Sequence, residues 1–318
     1  MIIPRLALAR FWTVSRPLTV VSLASVALIA VGLVGLVLDQ RTITGAAAWA
    51  KPTKFGLSTA LYSFTLIWML GLVQGKGVKT ARVAAGLTAL GFVVELVIIV
   101  IQVVRGVGSH FNTATPLDGA LYAVMGGFVL VLWSMNLLAA GLLAFQKLPD
   151  RMLAHTVRLA LFLTLLGSSI GGLMTVPTST QIEGFKTAPP SLVGAHTVGA
   201  PDGGPGLPFL GWSTAHGDLR VPHFFGLHAL QVLPLLFLLL NILGDRFGWS
   251  EHQRLRLLWT GAGSYLGVVG LLLWQALRAQ SVVAPDTLTV GAFAGLLLVA
   301  GLRGVMVLRL PTISGRAA

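Results

Sequence analysis

The sequence predicts an all-α integral membrane protein, a bundle of eight transmembrane helices with an ordered cap on its outer face. Three observations predict this class. Hydrophobic residues make up 55% of the 318 residues and charged residues only 10%, the mean hydropathy is +0.85, and apolar stretches of about 20 residues recur. Since a soluble domain is about one-quarter charged, the composition excludes a water-soluble globular fold.

Eight apolar stretches are long enough to cross about 30 Å of hydrocarbon at about 1.5 Å of rise per residue. We interpret the first as an uncleaved span, because it is longer than the apolar core of a signal peptide. The predicted spans are 18–38, 55–74, 83–104, 119–146, 157–176, 222–243, 255–277 and 288–308.

The basic residues set the predicted orientation. The chain has 22 Lys and Arg against 10 Asp and Glu, a net charge of +12. With the N-terminus inside, fifteen of the 22 lie on inner segments, and both termini are predicted to be cytoplasmic because basic residues concentrate in cytoplasmic loops. This bias explains most of the net charge without a nucleic-acid partner. The seven outer residues are Arg41, Lys51, Lys54, Arg105, Lys186, Arg220 and Arg278.

The absence of cysteine and of several catalytic motifs limits which kinds of functional site the chain can form. The chain has no cysteine, which excludes disulfides, thiolate metal sites and iron–sulfur clusters. It has no nucleotide-binding P-loop and no signature of the common hydrolases or metalloproteases. It also lacks the matching interrupted helices that mark many secondary transporters, which weakens but does not remove a transport function.

The segment 177–221 separates the fifth and sixth predicted spans by 45 residues. It mixes Gly and Pro with Leu, Phe and Trp and carries few charges, unlike a solvated linker. A connection of this length and composition predicts an ordered cap folded over the outer mouth of the bundle.

Three sequence runs lie on the predicted outer side: AWAKPTKFGLS (48–58), QVVRGVGSHFNTATPLD (102–118) and VGAPDGGPGLPFLGWSTAHGDLRVPHFFGLHALQ (198–231). Together they resemble a family of bacterial multi-spanning inner-membrane proteins, and the resemblance covers most of the chain. It implies an eight-span protein of the bacterial inner membrane. It carries over no activity, so the function has to be inferred from the residues themselves.

Five of the seven histidines fall on the same outer side: His110, His196, His216, His223 and His228. Imidazole is the commonest protein ligand for metals and, in a chain without cysteine, the natural axial ligand of haem iron. His223 and His228 lie about 140° apart around a helix and cannot hold one ion from the same face. We expect His223 at the helix mouth and His228 inside the bundle, with its tautomer fixed by Gln231.

Glu95 lies near the middle of the third predicted span, where a lipid-facing carboxylate is costly. We therefore expect it to face the interior, within hydrogen-bond reach of Gln102 through water or of Tyr265 on the seventh span. An intramembrane acid indicates a functional site, and its structural alternative is an interhelical hydrogen bond.

The outer cations Lys51, Lys54, Arg105 and Arg220 have two interpretations. They snorkel towards lipid phosphates, or they surround an anionic group such as the propionates of haem, a quinone head or a lipid headgroup. Membrane lipids and a quinone or other lipophilic substrate are therefore the expected partners.

The first functional hypothesis is a redox protein that holds a b-type haem near the outer face. His110 and His228 are the first-choice axial pair and His223 the substitute, with the four outer cations as propionate partners. Non-covalent haem has no sequence motif, so this hypothesis depends on residue types and their predicted depth.

Two further hypotheses stay open, beside a purely structural subunit. One is an intramembrane enzyme with a single divalent metal ion, acting on a lipid or isoprenoid. Its three ligands come from His110, His216, His223 and Asp218, with His228 as a further candidate ligand and Glu95 or His228 as base. The other is a proton-coupled transporter in which Glu95 and His228 carry protons through the bundle.

Overall fold

The computed structural model describes residues 9–309, and most of them are helical. Arg5 and Arg316, which belong to the predicted cytoplasmic ends, lie outside the described residues. The helices are α1 (Arg16–Leu38), α2 (Ala50–Leu70), α3 (Gly77–Arg105), α4 (Pro116–Phe145), α5 (Arg151–Leu173), α6 (Ser179–Gly184), α7 (Arg220–Phe247), α8 (Glu251–Leu277) and α9 (Thr287–Leu308). The strands are β1 (Thr42–Ile43), β2 (Ala46–Ala47), β3 (Thr197–Val198) and β4 (Gly217–Asp218).

Seven helices within residues 9–309 are long and apolar enough to cross a membrane: α1, α3, α4, α5, α7, α8 and α9. This confirms a helical, multi-pass membrane protein. Helix α2 has 21 residues but lies outside this set, because its Lys, Ser and Thr side chains make it more polar. Each of the eight predicted spans overlaps one of the eight long helices.

Local sequence signals set the ends of the long helices. Left-handed glycines end two of them, Gly106 after α3 with φ 76° and Gly248 after α7 with φ 68°. Side-chain oxygens cap orphan backbone N–H groups at the start of five others. These caps are Ser15, Thr115, Asp150, Ser250 and Asp286.

Close backbone approaches hold the helices in an up-and-down bundle. A Cβ added to Gly32 on α1 would lie 2.1 Å from Oγ1 of Thr53 on α2. The main core combines leucines of α1, α2, α4, α5 and α7 with alanines of α3 and α8, so it joins both halves of the chain. Representative members are Leu18, Leu66, Leu143, Leu161 and Leu230.

One end of the bundle collects the long connections, and we call it the long-loop end. Helices α1, α3, α5 and α8 end there, and α2, α4, α7 and α9 begin there. The connection between α5 and α7 contains α6, and its strand β3 pairs antiparallel with β4, with Thr197 opposite Asp218. A bridge between Asn112 and Leu192 ties this connection to the α3–α4 loop. The segment is therefore folded against the helix ends.

Candidate functional site

Lys51 and His110 form the centre of the candidate site. Nζ of Lys51, in the first turn of α2, lies 2.9 Å from Nδ1 of His110 in the α3–α4 loop. Oγ of Ser109 lies 3.1 Å from the same nitrogen. An ammonium group only donates, so Nδ1 accepts and the ring proton of neutral His110 is assigned to Nε2. Burial, followed by electrostatic repulsion from Lys51, and from His196 and His223 when these are protonated, holds the pKa of His110 well below 6.5.

His196 and Asp202 form a second pair at the long-loop end. Nδ1 of His196 lies 2.7 Å from Oδ2 of Asp202, whose carboxylate also accepts the backbone N–H groups of His196 and Thr197. Burial raises the pKa of Asp202, but the hydrogen bonds from His196 and the backbone hold it below its usual value. Because a carboxylate only accepts, His196 is protonated at Nδ1 and presents a free lone pair on Nε2.

Phe111 connects these two pairs. Its ring centroid lies 4.7 Å from that of His196 and 6.1 Å from that of His110. Burial lowers the pKa of His196, and the hydrogen bond to Asp202 partly opposes this. Both imidazoles are therefore neutral at pH 7, with Nε2–H on His110 and a lone pair on Nε2 of His196.

His223 lies in the interior, between α7 and α5. Its Nδ1 is 2.8 Å from the carbonyl oxygen of Gly167, and a Cβ added to Gly171 would lie 2.9 Å from its Cε1. The ring therefore lies directly against the backbone of α5. Since a carbonyl only accepts, His223 also carries its proton on Nδ1.

His228 lies beside α2, and Gln231 holds its tautomer as the sequence predicts. Nδ1 of His228 is 3.1 Å from Oε1 of Gln231. The amide nitrogen of Gln231 lies 3.1 Å from Oγ1 of Thr65 and 3.4 Å from the carbonyl oxygen of Leu61. Because a backbone carbonyl only accepts, this contact assigns the amide orientation, and His228 is protonated at Nδ1.

His223 lies in the first turn of α7, at the helix mouth as expected. Both α7 histidines are half-buried, and His228 lies about 200° around α7 from buried Gly226. The surroundings of each ring follow from the position of the neighbouring helices. Helix α5 covers the face that carries Gly226 and His223, and α2 covers only part of the opposite face.

The four outer cations bind groups within the protein. Arg105 pairs with Asp118 at 2.5 Å, and Arg220 pairs with Asp218 at 2.6 Å. Both carboxylates are buried. Nζ of Lys54 donates to the carbonyl oxygen of Leu210 at 2.6 Å, and Lys51 contacts His110. In this arrangement the cations fasten loops to helix ends.

Asp218 and His216, predicted as metal ligands or catalytic groups, lie in the β4 hairpin. Both carboxylate oxygens of Asp218 are engaged by Arg220, and one also accepts the N–H of Ser213. The backbone N–H of His216 donates to Oγ of Ser213. These contacts stabilise the turn, and a catalytic or ligating role for either residue stays a prediction.

Glu95 is buried, as expected, with 4% of its surface exposed. Its Oε1 has no hydrogen-bond partner among residues 9–309. Neither expected partner bonds this oxygen directly, since the amide of Gln102 donates to Asp118 and the hydroxyl of Tyr265 to a carbonyl of α7; the contact with Gln102 through water stays a prediction. Lys51 is close enough to act electrostatically on the Glu95 carboxyl.

Metal and haem binding stay predictions. Within the described part of the chain, no three His, Asp or Glu side chains come together as metal ligands. Nδ1 of His110 contacts Lys51, whereas His228 bonds Gln231 and lies about 140° around α7 from His223. Sequence reasoning missed Asp202 and Phe111, because no spacing rule links a loop carboxylate six residues after His196 to its imidazole.

Comparison with protein families, curated proteins and solved structures finds no match to this chain. A function is therefore inferred from the geometry of Glu95, Lys51, His110, His196 and Asp202.

Proposed function

We propose that this protein is a proton-coupled transporter in which Glu95 binds the proton and the long-loop end exchanges it with the solvent. The observation that carries the proposal is the buried Oε1 of Glu95, which has no hydrogen-bond partner in the described range. Enclosure in apolar surroundings disfavours a charged carboxylate, so a bound proton stabilises the buried group. A buried acid whose oxygen has no fixed partner is suited to binding and releasing a proton.

The hydrogen bonds of the neighbouring residues define a direction for the proton. Lys51 donates to Nδ1 of His110, which carries its own proton on Nε2, and His196 offers an Nε2 lone pair beside the same Phe111 ring. Lys51 passes a proton to Nδ1 of His110 while His110 releases its Nε2 proton, through water, to His196. The His196 imidazolium is then stabilised by Asp202, and the neutral amine of Lys51 takes the proton of Glu95.

A complete path also requires an orientation in the membrane. We place all eight long helices across the inner membrane, with both termini cytoplasmic and segment 177–221 as a cap on the outer side. The packing of α1 on α2 is antiparallel, since Gly32 meets Thr53 and Gly35 meets Trp49. Helix α2 also runs antiparallel to α3, with Tyr62 against Phe92. Helix α2 is about 30 Å long and so returns the chain across the bilayer.

Infrared difference spectroscopy of the protein in lipid nanodiscs tests whether Glu95 exchanges a proton. A step from acidic to alkaline pH should remove one protonated-carboxyl band. Glu95→Gln should abolish this change, and Glu251→Gln, at the exposed start of α8, should retain it. If the band survives in Glu95→Gln, Glu95 is not the proton-binding group.

Proton movement is then measured in liposomes that contain a pH-sensitive dye. We expect an imposed potential to drive proton flux in the native protein. Lys51→Met and His110→Phe should slow that flux strongly, since each removes one group from the path. A flux equal to the native rate in both variants would exclude this route.

A b-type haem is the second candidate function, and a specific observation favours it. His196, His223 and His228 each give Nδ1–H to an oxygen acceptor, and this leaves the unprotonated Nε2 that an axial ligand needs. Visible spectra of the purified protein, oxidised and dithionite-reduced, test this candidate. A haem difference band would support it, and a colourless protein with stoichiometric metal would instead support a divalent ion.

A further inference from the structure

Where α7 lies beside α2, at the contacts of Gln231 with Leu61 and Thr65, the surface carries a polar group that the proposed proton path does not use; we call this surface the crevice. His228 lies eight residues beyond the start of α7 at Arg220, about 12 Å along the helix. It is half-buried, and Phe224 on the same side of α7 is 38% exposed. Because α7 is one of the membrane-crossing helices, this face is in contact with lipid where α2 does not cover it.

The chemistry that His228 presents to the crevice is fixed by its neighbours. Gln231 accepts the Nδ1 proton, and Gln231 is itself held by Thr65 and the carbonyl of Leu61. Nε2 is therefore an acceptor, and no group among residues 9–309 donates to it. An acceptor without a donor in apolar surroundings is unfavourable. The site therefore favours a ligand with a hydroxyl or N–H donor.

Aromatic side chains line the outer part of the crevice. The ring of Phe224 lies 4.2 Å from that of His228, and Trp212 packs on Phe224 at 5.5 Å. On the α2 side, Leu57 and Leu61 are 47% and 41% exposed. A flat aromatic head fits between such rings, and an apolar tail fits the exposed leucines and the lipid beyond them.

We propose that this crevice binds a lipid-soluble quinol, whose hydroxyl group donates to Nε2 of His228 while its ring packs against Phe224. The oxidised quinone carries only carbonyl acceptors and cannot make this bond. The predicted selectivity is therefore for the reduced form. The proposal concerns binding alone and does not depend on proton movement through Glu95.

The test uses a decyl-substituted benzoquinol and the matching benzoquinone, added to the protein in nanodiscs with 15N-labelled histidine. We expect the quinol to shift the Nε2 resonance of His228 saturably and to bind about tenfold tighter than the quinone, the effect of one hydrogen bond. His228→Phe should weaken quinol binding about tenfold. His155→Phe, which alters a histidine packed on Trp259 elsewhere in the bundle, should bind as the native protein does.

Two variants of Gln231 keep the test decisive if His228→Phe does not fold. Gln231→Glu retains an acceptor for the Nδ1 proton and should bind quinol normally. Gln231→Leu no longer fixes the tautomer and should bind it more weakly. Equal affinity for quinol and quinone, or equal quinol affinity in Gln231→Glu and Gln231→Leu, would overturn the proposal. A shift caused by decanol to the same extent would assign the crevice to general lipid hydroxyls instead and would also overturn it.

Discussion

Replacement of Gly226 by alanine tests the close approach of α5 and α7, which positions His223. A Cβ at Gly226 would lie 2.3 Å from Cα of Gly167, and a Cβ at Gly167 would lie 2.3 Å from the carbonyl carbon of Gly226. These neighbours are backbone atoms and cannot rotate away. Because carbon atoms in contact are about 3.5–4.0 Å apart, α7 would have to retreat by roughly 1.5 Å from α5.

The expected loss of stability follows from three terms. Overpacking a tight helix contact costs about 1–3 kcal/mol. The retreat also stretches the 2.8 Å contact between Nδ1 of His223 and the oxygen of Gly167, and an unsatisfied buried polar pair costs about 1–3 kcal/mol. The higher helix propensity of alanine offsets this loss by about 1 kcal/mol relative to glycine. We expect a net loss of about 3 kcal/mol for Gly226→Ala.

Reversible unfolding in mixed detergent micelles measures this free energy. The matched control is Gly172→Ala, on α5 itself, where an added Cβ meets nothing within 4 Å. That variant should be as stable as the native protein or slightly more so. If Gly226→Ala and Gly172→Ala have the same free energy of unfolding, the close α5–α7 approach is refuted.

Three further predictions use the long-loop end. The depressed pKa of His110 means that the unfolded chain binds a proton near pH 6.5 that the folded protein does not. The contribution of His110 to stability should therefore be constant above about pH 6.5 and fall below it by up to about 1.4 kcal/mol per unit, and His110→Asn should reduce the slope of stability against pH below about 6.5 in unfolding curves. Asp118→Asn leaves partly exposed Arg105 without its charge partner and should lower the free energy of unfolding by about 1–2 kcal/mol. The control Asp245→Asn removes a largely exposed carboxylate and should lower it by less than about 0.5 kcal/mol. Reporter fusions within 201–208 should report the outside, and fusions after Ala81 and Pro149 the cytoplasm; the opposite pattern would invert the topology.

The helices were predictable because apolarity is local and strong, but their starts depend on capping. The fifth predicted span begins at 157, whereas α5 begins at Arg151 after the Asp150 cap. The second predicted span begins at 55, whereas α2 begins at Ala50 and includes Lys51 in its first turn. A prediction from hydropathy finds the apolar part of a helix, but it does not detect the polar turns at the helix end.

The sequence predicted which residue types belong to the candidate site, but not which side chains contact each other there. Burial of Glu95 follows from the cost of a carboxylate in lipid, and the Gln231 contact of His228 follows from helix periodicity. The directions of His223 and His228 depend on where α5 and α2 pack, which no local pattern contains. The His196–Asp202 pair depends on a loop turning through left-handed Gly199, with φ 91°.

The unpartnered buried oxygens of the described residues all lie on the first four long helices. Within residues 9–309 the enclosed side-chain atoms without a hydrogen bond are Ser25 Oγ, Ser63 Oγ, Glu95 Oε1 and Asn136 Oδ1, one on each of α1 to α4. A hydroxyl in a helix ordinarily bonds the carbonyl four residues earlier, as Ser22 does at 2.8 Å. Ser25 and Ser63 do not, so each can still hydrogen-bond a buried water. Because Asn136 lies further along α4 from the long-loop end than the level of Glu95, it is the residue that would continue the proposed proton path, and Asn136→Leu should slow proton flux in liposomes if that path exists.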